Sequence, residues 1–194
     1  MTFDYLDTQR LRLRKITDQD YLTILTQCSD DELMHLLGIT SDTDIALERQ
    51  KAKKGFATHN KSYLMFHVLE KDTMNNIGWC GFHTWYLDHR RAEIGYALRD
   101  EYKAKGIMTE VMSAVLRYGF EEMNLHRIEA FIGPQNMPSI KLAEKFGFTK
   151  EGQMREHFCR DGVFEDSVVY ALLSEEWGRN PSFNDILVGR ELTS

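Results

Sequence analysis

Glu93-Ile-Gly-Tyr-Ala-Leu-Arg-Asp-Glu-Tyr-Lys-Ala-Lys-Gly-Ile-Met-Thr-Glu110 is the stretch on which the reading of this chain turns. It opens as a strand that ends near Leu98, with Glu93, Gly95 and Ala97 on one face by simple alternation. A short loop containing Ala104 and Gly106 follows, and a helix begins near Ile107. Small residues let a backbone bend and come close to a ligand. The first N–H groups of the new helix have no intrahelical partner and sit at the positive end of its dipole. Together these features can cradle a phosphate, and Lys103 and Lys105 add charge beside it. The same residues also make a plain strand-to-helix turn with exposed lysines, and local sequence leaves both readings open. Neither GxxxxGK[ST] nor GxGxxG occurs, so a cradle here serves a phosphate-bearing molecule other than those two fingerprints bind.

Downstream lies Asn136-Met-Pro-Ser139-Ile-Lys-Leu-Ala-Glu-Lys-Phe146-Gly147-Phe148. Asn136 suits a helix N-cap, Pro138 a first turn and Gly147 a helix end. A capping role and a ligand-binding role compete for Asn136 and Ser139. Upstream, Leu11, Leu13 and Lys15 alternate with Arg10, Arg12 and Arg14, which predicts a half-buried strand whose arginines form a solvated face. Thr17-Asp18-Gln19-Asp20 resembles a capping box, opening a helix to about Cys28. Further helices are expected over 30–37 and 42–59. Strands over 63–70, 77–86 and 92–98 have connections too short for parallel crossovers and read as an antiparallel meander. A helix over 107–123, a strand over 126–132, a helix over 139–146 and two strands turning at Asp161-Gly162 complete the pattern. The expected fold is α/β (α+β): a mixed sheet of about seven strands flanked by helices.

With 194 residues, three prolines and no low-complexity linker, the chain reads as one domain over 1–194, with a polar tail from about 180. The formal net charge of −6 argues against a nucleic-acid partner and suits a cationic amine. Cys28, Cys80 and Cys159 form no CxxC pair, which points to free thiols in a reducing cytoplasm and to no metal site. No run approaches membrane-span length, and no signal-peptide core opens the chain. His67, His83 and His89 lack metal-ligand spacing and read as strand-surface residues. Trp79, Trp85 and Tyr86 read as packing residues, and the methionines as core filler.

Taken in order and spacing, the A-E-I-G-Y strand, the K-G-x-x-T-E helix entry, N-x-x-S-x-x-L-x-E-K-x-G-F and the D-G hairpin resemble the GNAT superfamily of N-acetyltransferases. The nearer resemblance is to the RimJ/RimL-type ribosomal-protein N-terminal acetyltransferases, over nearly the whole chain. It implies a centrally splayed sheet with a V-shaped cleft, acetyl-CoA as acyl donor, no metal, and direct transfer to an amine. It also implies frequent homodimers. The family's pyrophosphate loop aligns with residues 101–106, with Glu101 for Gln or Arg and Ala104 for Gly; the cradle survives if Ala104 needs no positive φ and Glu101 points outward. By the same resemblance the donor is held by Tyr96, Ala97, Leu98, Lys103, Ala104, Lys105, Gly106, Ile107, Met108, Thr109, Asn136 and Ser139. Leu98 supplies the backbone N–H for the oxyanion. Glu93 is the leading general base, the competing reading being an exposed glutamate paired with Arg90 or Arg91. Glu156 and His157 are weaker candidates for that role. The tyrosine acid that many relatives carry on the helix after Asn136 is Ala143 here, and Ser139 is nominated to protonate the thiolate. The acceptor implied first is a protein N-terminal α-amine. A polyamine, amino acid or aminoglycoside comes second, and a non-catalytic acyl-CoA sensor third.

Overall fold

Eight strands form one sheet in the order β1-β2-β3-β4-β5-β6-β8-β7 in the computed structural model, which describes residues 2–39, 41–54 and 61–179. The expected helix over 55–59 and the polar tail from 180 lie outside the described residues. Strands β1 (Tyr5–Asp7), β2 (Leu11–Thr17), β3 (Lys61–Glu70), β4 (Asn76–Tyr86) and β5 (Arg91–Leu98) run antiparallel, and the connections β1–β2, β3–β4 and β4–β5 are too short for anything else. Helices α1 (Asp18–Gln27), α2 (Asp30–Leu37) and α3 (Asp42–Lys54) separate β2 from β3. The chain then crosses through α4 (Ile107–Arg117) to β6 (Arg127–Ile132), which pairs parallel to β5. Helix α5 (Met137–Lys145) leads to β7 (Thr149–Arg160) and β8 (Val163–Leu173), followed by a short helix, α6 (Ser174–Arg179). The extra strand, β1, is three residues long and pairs only with β2, too short for a period of two to stand out in sequence.

Local chemistry fixes these elements. Thr17 and Asp20 complete a reciprocal capping box on α1, and Ser29 and Glu32 do the same on α2. Asp161 and Gly162 both take positive φ (51° and 81°), the geometry a two-residue hairpin turn demands. Helix α4 buries Val111, Met112, Val115 and Leu116 along one stripe against Phe66, Phe82 and Ile128 of the sheet. It stops at Arg117 rather than running to residue 123. Tyr118–Glu122 widen into a π turn, and a Cβ on Gly119 would lie 2.7 Å from the Phe82 ring. A second cluster, Ile16, Ile24, Leu25, Leu33 and Ile45, seals α1–α3 onto the opposite face.

Two expectations of a solvated strand face are corrected. Arg14 and His67 are buried, at 6% and 5% exposure, because α2 covers their side of the sheet. The Arg14 guanidinium donates to the Leu36 carbonyl at the end of α2 and approaches His67 Nδ1 at 3.1 Å. Burial, aided by the Arg14 charge, pushes the imidazole down to about 3, so it stays neutral and can accept that hydrogen bond. Arg12 does behave as a surface residue, paired with Asp7 at 2.9 Å.

Candidate active site

Strands β5 and β6 share only three residue pairs, Arg91↔Arg127, Ala92↔Ile128 and Glu93↔Glu129. Beyond Glu93, β5 continues to Leu98 beside β4 alone, while β6 continues to Ile132 beside β8. The sheet therefore forks, and the far edge of β5 is left without a strand. The direction of its backbone groups follows from one bond: Arg99 N–H donates to Ile77 C=O at 3.0 Å, on the β4 side. Antiparallel ladders alternate bonded and non-bonded pairs. The N–H groups of Leu98 and Tyr96 thus face the open edge, where an extended ligand can pair with them, and that of Ala97 faces β4.

The loop after β5 makes a short 3₁₀ turn at Asp100–Tyr102 and then reverses twice, with φ of 58° at Ala104 and 70° at Gly106, the N-cap of α4. The condition that Ala104 needs no positive φ is not met. Its Cβ is held in the left-handed region at a cost of about 1–2 kcal/mol, which the loop's anchors must offset. Those anchors come from the far end of the sequence. Arg10 donates through its backbone N–H and its Nε to the two carboxylate oxygens of Glu110, at 2.8 and 2.7 Å, and through Nη1 to the Lys105 carbonyl at 3.2 Å. Tyr102 bonds Glu70 at 3.2 Å. Left-handed residues in a turn ahead of a helix can bring successive N–H groups to one side as an anion-binding nest, and Ala104 and Gly106 are two such residues here. Lys103 pairs with Asp100 at 2.5 Å and Lys105 lies over the Tyr102 ring, so both lysines are held at the loop surface. Glu101 is exposed, as are residues 103–106; Ile107 is buried, and Met108 and Thr109 are half-buried.

Two outcomes follow for this loop. Ala104→Gly is expected to leave coenzyme A affinity at least equal to the parent's and to raise stability by up to about 1 kcal/mol, less the entropy glycine adds to the unfolded chain. Calorimetry and thermal melts check this. Burial pushes the Glu110 carboxyl up, but hydrogen bonds from Thr8 and Arg10 outweigh it and hold the group below its ordinary value. A carboxyl depressed in the folded state contributes stability above its unfolded pKa and loses it as pH falls through the folded one. Acid unfolding curves should therefore lose this component in Glu110→Gln.

Glu93 sits at the fork itself, half-buried. Burial raises its carboxyl above the usual range; a Thr84 hydrogen bond opposes this, the Glu129 charge adds to it, and His157 opposes it. Its neighbour is His83, whose Nε2 lies 3.5 Å from Glu93 Oε1. That imidazole rests where Gly95 has no side chain: a Cβ there would meet His83 Cδ2 at 2.6 Å. Burial lowers the His83 pKa, which favours a neutral ring. Pairing with Arg90 or Arg91 is not what the structure forms. Arg91 reaches Glu129 at 3.2 Å and Arg90 bonds Asn124. Glu129, only 8% exposed, is also held by Arg127 at 2.7 Å. Gly95→Ala is expected to displace the imidazole and weaken its contact with Glu93, read as a change in the His83 ring signals in NMR with the fold intact.

The irregular stretch of β7 between Met154 and Phe158 carries the other two base candidates. His157 packs its ring 4.9 Å from that of Phe131 and reaches Ser167 Oγ at 3.1 Å, within electrostatic range of Glu93. Glu156 takes φ 51°, gives its N–H to Asp166, and is exposed. On the other arm, Asn136 caps α5, its side-chain oxygen accepting from Ser139 N–H at 3.2 Å. Ala143 is buried at 1% exposure and belongs to the core. The Tyr96 hydroxyl is buried, with the Ser139 side chain beside it. Burial raises its pKa, and the nearby Ser139 hydroxyl offsets part of that rise.

His83, Glu129 and the Arg10–Glu110 tie escaped sequence reasoning. Gly95 was the one available signal for His83, since a strand glycine often marks a close approach. Among the described residues no group of three or more His, Cys, Asp or Glu could hold a metal, and no helix is long and apolar enough to cross a membrane.

The sequence matches the acetyltransferase (GNAT) domain over residues 10–149. It is 36% identical to the uncharacterized N-acetyltransferase YoaA of Bacillus subtilis, over 88% of this chain and 97% of that one. It is 33% identical to the [ribosomal protein uS5]-alanine N-acetyltransferase of Escherichia coli, over 53% of this chain and 50% of that one. A GNAT-family acetyltransferase structure from Bacillus anthracis superposes with a TM-score of 0.62 at 29% identity, covering 89% of this chain and all of that one.

Proposed function

The chain belongs to the GNAT acetyltransferases, and on that premise we propose that it moves acetyl from acetyl-CoA to the N-terminal α-amine of a protein, with a ribosomal protein as the first acceptor to test. The observation that carries this reading is the fork after Glu93, which sets a carboxylate of raised pKa at the apex of an open backbone edge. Acetyl-CoA supplies the thioester. The residues that would hold it are the N–H groups of Tyr96 and Leu98 along the edge, the amides of Lys103, Ala104, Lys105 and Gly106 in the nest, the first turn of α4 at Ile107, Met108 and Thr109, and Asn136. Ala97 lends its place in the strand, its N–H being turned to β4.

Three tasks fall to the chain. Glu93 accepts the proton that the amine loses as it attacks, directly or through one water. An α-amine is ordinarily near 7.7–8 and a lysine near 10.4, so a single carboxylate suffices for the former. The Leu98 N–H, fixed by the strand, faces the developing oxyanion at no reorganisation cost. Ser139, at the first turn of α5, passes a proton from water to the departing sulfur. No enzyme nucleophile is needed, which agrees with the burial of Cys80 and the high pKa that burial gives it. A thiol-release assay with acetyl-CoA tests the proposal. Turnover is expected on peptides bearing a free N-terminus and not on the same peptides N-terminally blocked; preference for polyamines over every peptide would overturn the α-amine assignment.

A further inference from the structure

Strand β4 carries one residue more than its neighbours at His83. Opposite β5 the ladder passes from Phe82↔Ile94 to Thr84↔Glu93 and skips His83. Opposite β3, between Leu64↔Phe82 and Ser62↔Trp85, β4 sets two residues against one. A bulge of this kind re-aims a side chain. Here the imidazole is brought to Glu93, into space that only a glycine at position 95 leaves open. The hydrogen-bond inventory then fixes which nitrogen carries the hydrogen. The Thr84 hydroxyl has one hydrogen, and it is given to Glu93. Toward His83 Nδ1, 3.4 Å away, the same oxygen can only accept. The hydrogen of the neutral ring therefore belongs on Nδ1, and Nε2 presents a lone pair to Glu93 Oε1 at 3.5 Å. An ionised Glu93 gains nothing from that lone pair, whereas a protonated one can donate to it. Glu129 and His157 reach the same carboxylate from β6 and β7. Glu129 is held by Arg91 and Arg127, and His157 is engaged with Ser167 and Phe131.

Resting on the acetyl-transfer reading above, we propose that His83 is the relay behind the base: it takes from Glu93 the proton that the amine has lost and passes it to solvent, returning Glu93 to its carboxylate form. The proton leaves the amine nitrogen as the N–C bond forms and rests on Glu93 Oε1. It moves to His83 Nε2, giving a transient imidazolium, and Nε2 then yields it to water while the Nδ1 hydrogen stays in place. One proton leaves by this route for each that Ser139 delivers to sulfur, so the turnover balances. His83 touches neither acetyl donor nor amine and acts through Glu93, which makes it a positioning residue. The path runs outward, since the His83 side chain is 36% exposed and that of Glu93 24%. Burial raises the carboxyl and lowers the imidazole, which brings their proton affinities toward each other and eases exchange between them.

The test is His83→Ala with imidazole added to the assay, and His83→Gln as the second variant. Loss of the relay should lower kcat by about 10-fold, less than loss of the base itself, while KM for acetyl-CoA and the Kd for coenzyme A stay within about twofold. Imidazole should restore turnover of His83→Ala saturably and in step with its free-base concentration, and should do nothing for Glu93→Gln. His83→Gln fills the space with a polar side chain that cannot carry a proton, so it should be as slow as His83→Ala. A residue that only shaped the pocket would be replaced by glutamine and not by a mobile base. Unchanged kcat in His83→Ala, full activity in His83→Gln, or no response of His83→Ala to imidazole would overturn the proposal. A wild-type protein that neither binds coenzyme A nor releases thiol would instead overturn the acetyl-transfer reading.

Discussion

Glu93→Gln is expected to lower kcat by about 10²–10⁴-fold, the range over which a positioned general base contributes. The amide keeps the shape of the side chain and its contact with Thr84, so the fold should not change. The pH dependence carries the sharper information. Burial and the Glu129 charge raise the Glu93 pKa, so the base becomes competent only as pH rises through a value above the ordinary carboxylate range. Below that value wild type and variant converge, because the carboxyl is protonated. Above the pKa of the amine, free amine is plentiful and the base matters less. The deficit is therefore largest between those two limits. A wild-type profile without the acidic limb, or a variant that retains it, would remove Glu93 from the reaction. Glu129→Gln provides the companion measurement: losing the neighbouring charge should move the acidic limb to lower pH.

Gly106→Val should weaken coenzyme A binding by about 10- to 100-fold. The cause is the backbone and not crowding, since the nearest atom to an added Cβ is Arg10 Nη2 at 3.8 Å. A φ of 70° in a β-branched residue is a strained state, worth on the order of 1–3 kcal/mol, and the loop would relax away from the nest to escape it. Gly106→Asn is the control, because asparagine tolerates the left-handed region. Calorimetry should rank glycine, asparagine and valine in that order of affinity. Equal affinity for all three would mean that the phosphates are held elsewhere.

Much of this architecture was legible in the sequence, for reasons that differ from element to element. Thr17 with Asp20, Asn136, and Asp161-Gly162 carry their instructions within four residues, and each element they delimit appears where expected. The meander was readable because short connections leave antiparallel pairing as the one option. The helix-to-π transition at Tyr118 depends on how close Gly119 comes to Phe82, a contact between residues far apart in the chain. Burial of Arg14 and His67 depends on where α2 lies over the sheet, and alternation along one strand cannot reveal it. At the site, Glu93, Leu98, Ala104 and Gly106 came from a motif. Their partners Arg10, His83 and Glu129 came only with the fold. Arg10 and Glu110 are 100 residues apart, and nothing local marks either as an anchor for the loop between β5 and α4. The positive φ of Ala104 was the point at which the sequence misled: alanine is a poor choice for that conformation, and only the ties to Arg10, Glu110 and Glu70 make it tolerable.

The central claim is that the open edge of β5 and the nest before α4 grip the diphosphate and arm of a thioester carrier. Backbone amide NMR during titration with coenzyme A tests it most directly. The amides of Tyr96 and Leu98 and of residues 103–109 should shift together and saturate at one affinity, with Ala97, turned to β4, moving less. Saturating coenzyme A that leaves those amides in place while others move would contradict the account.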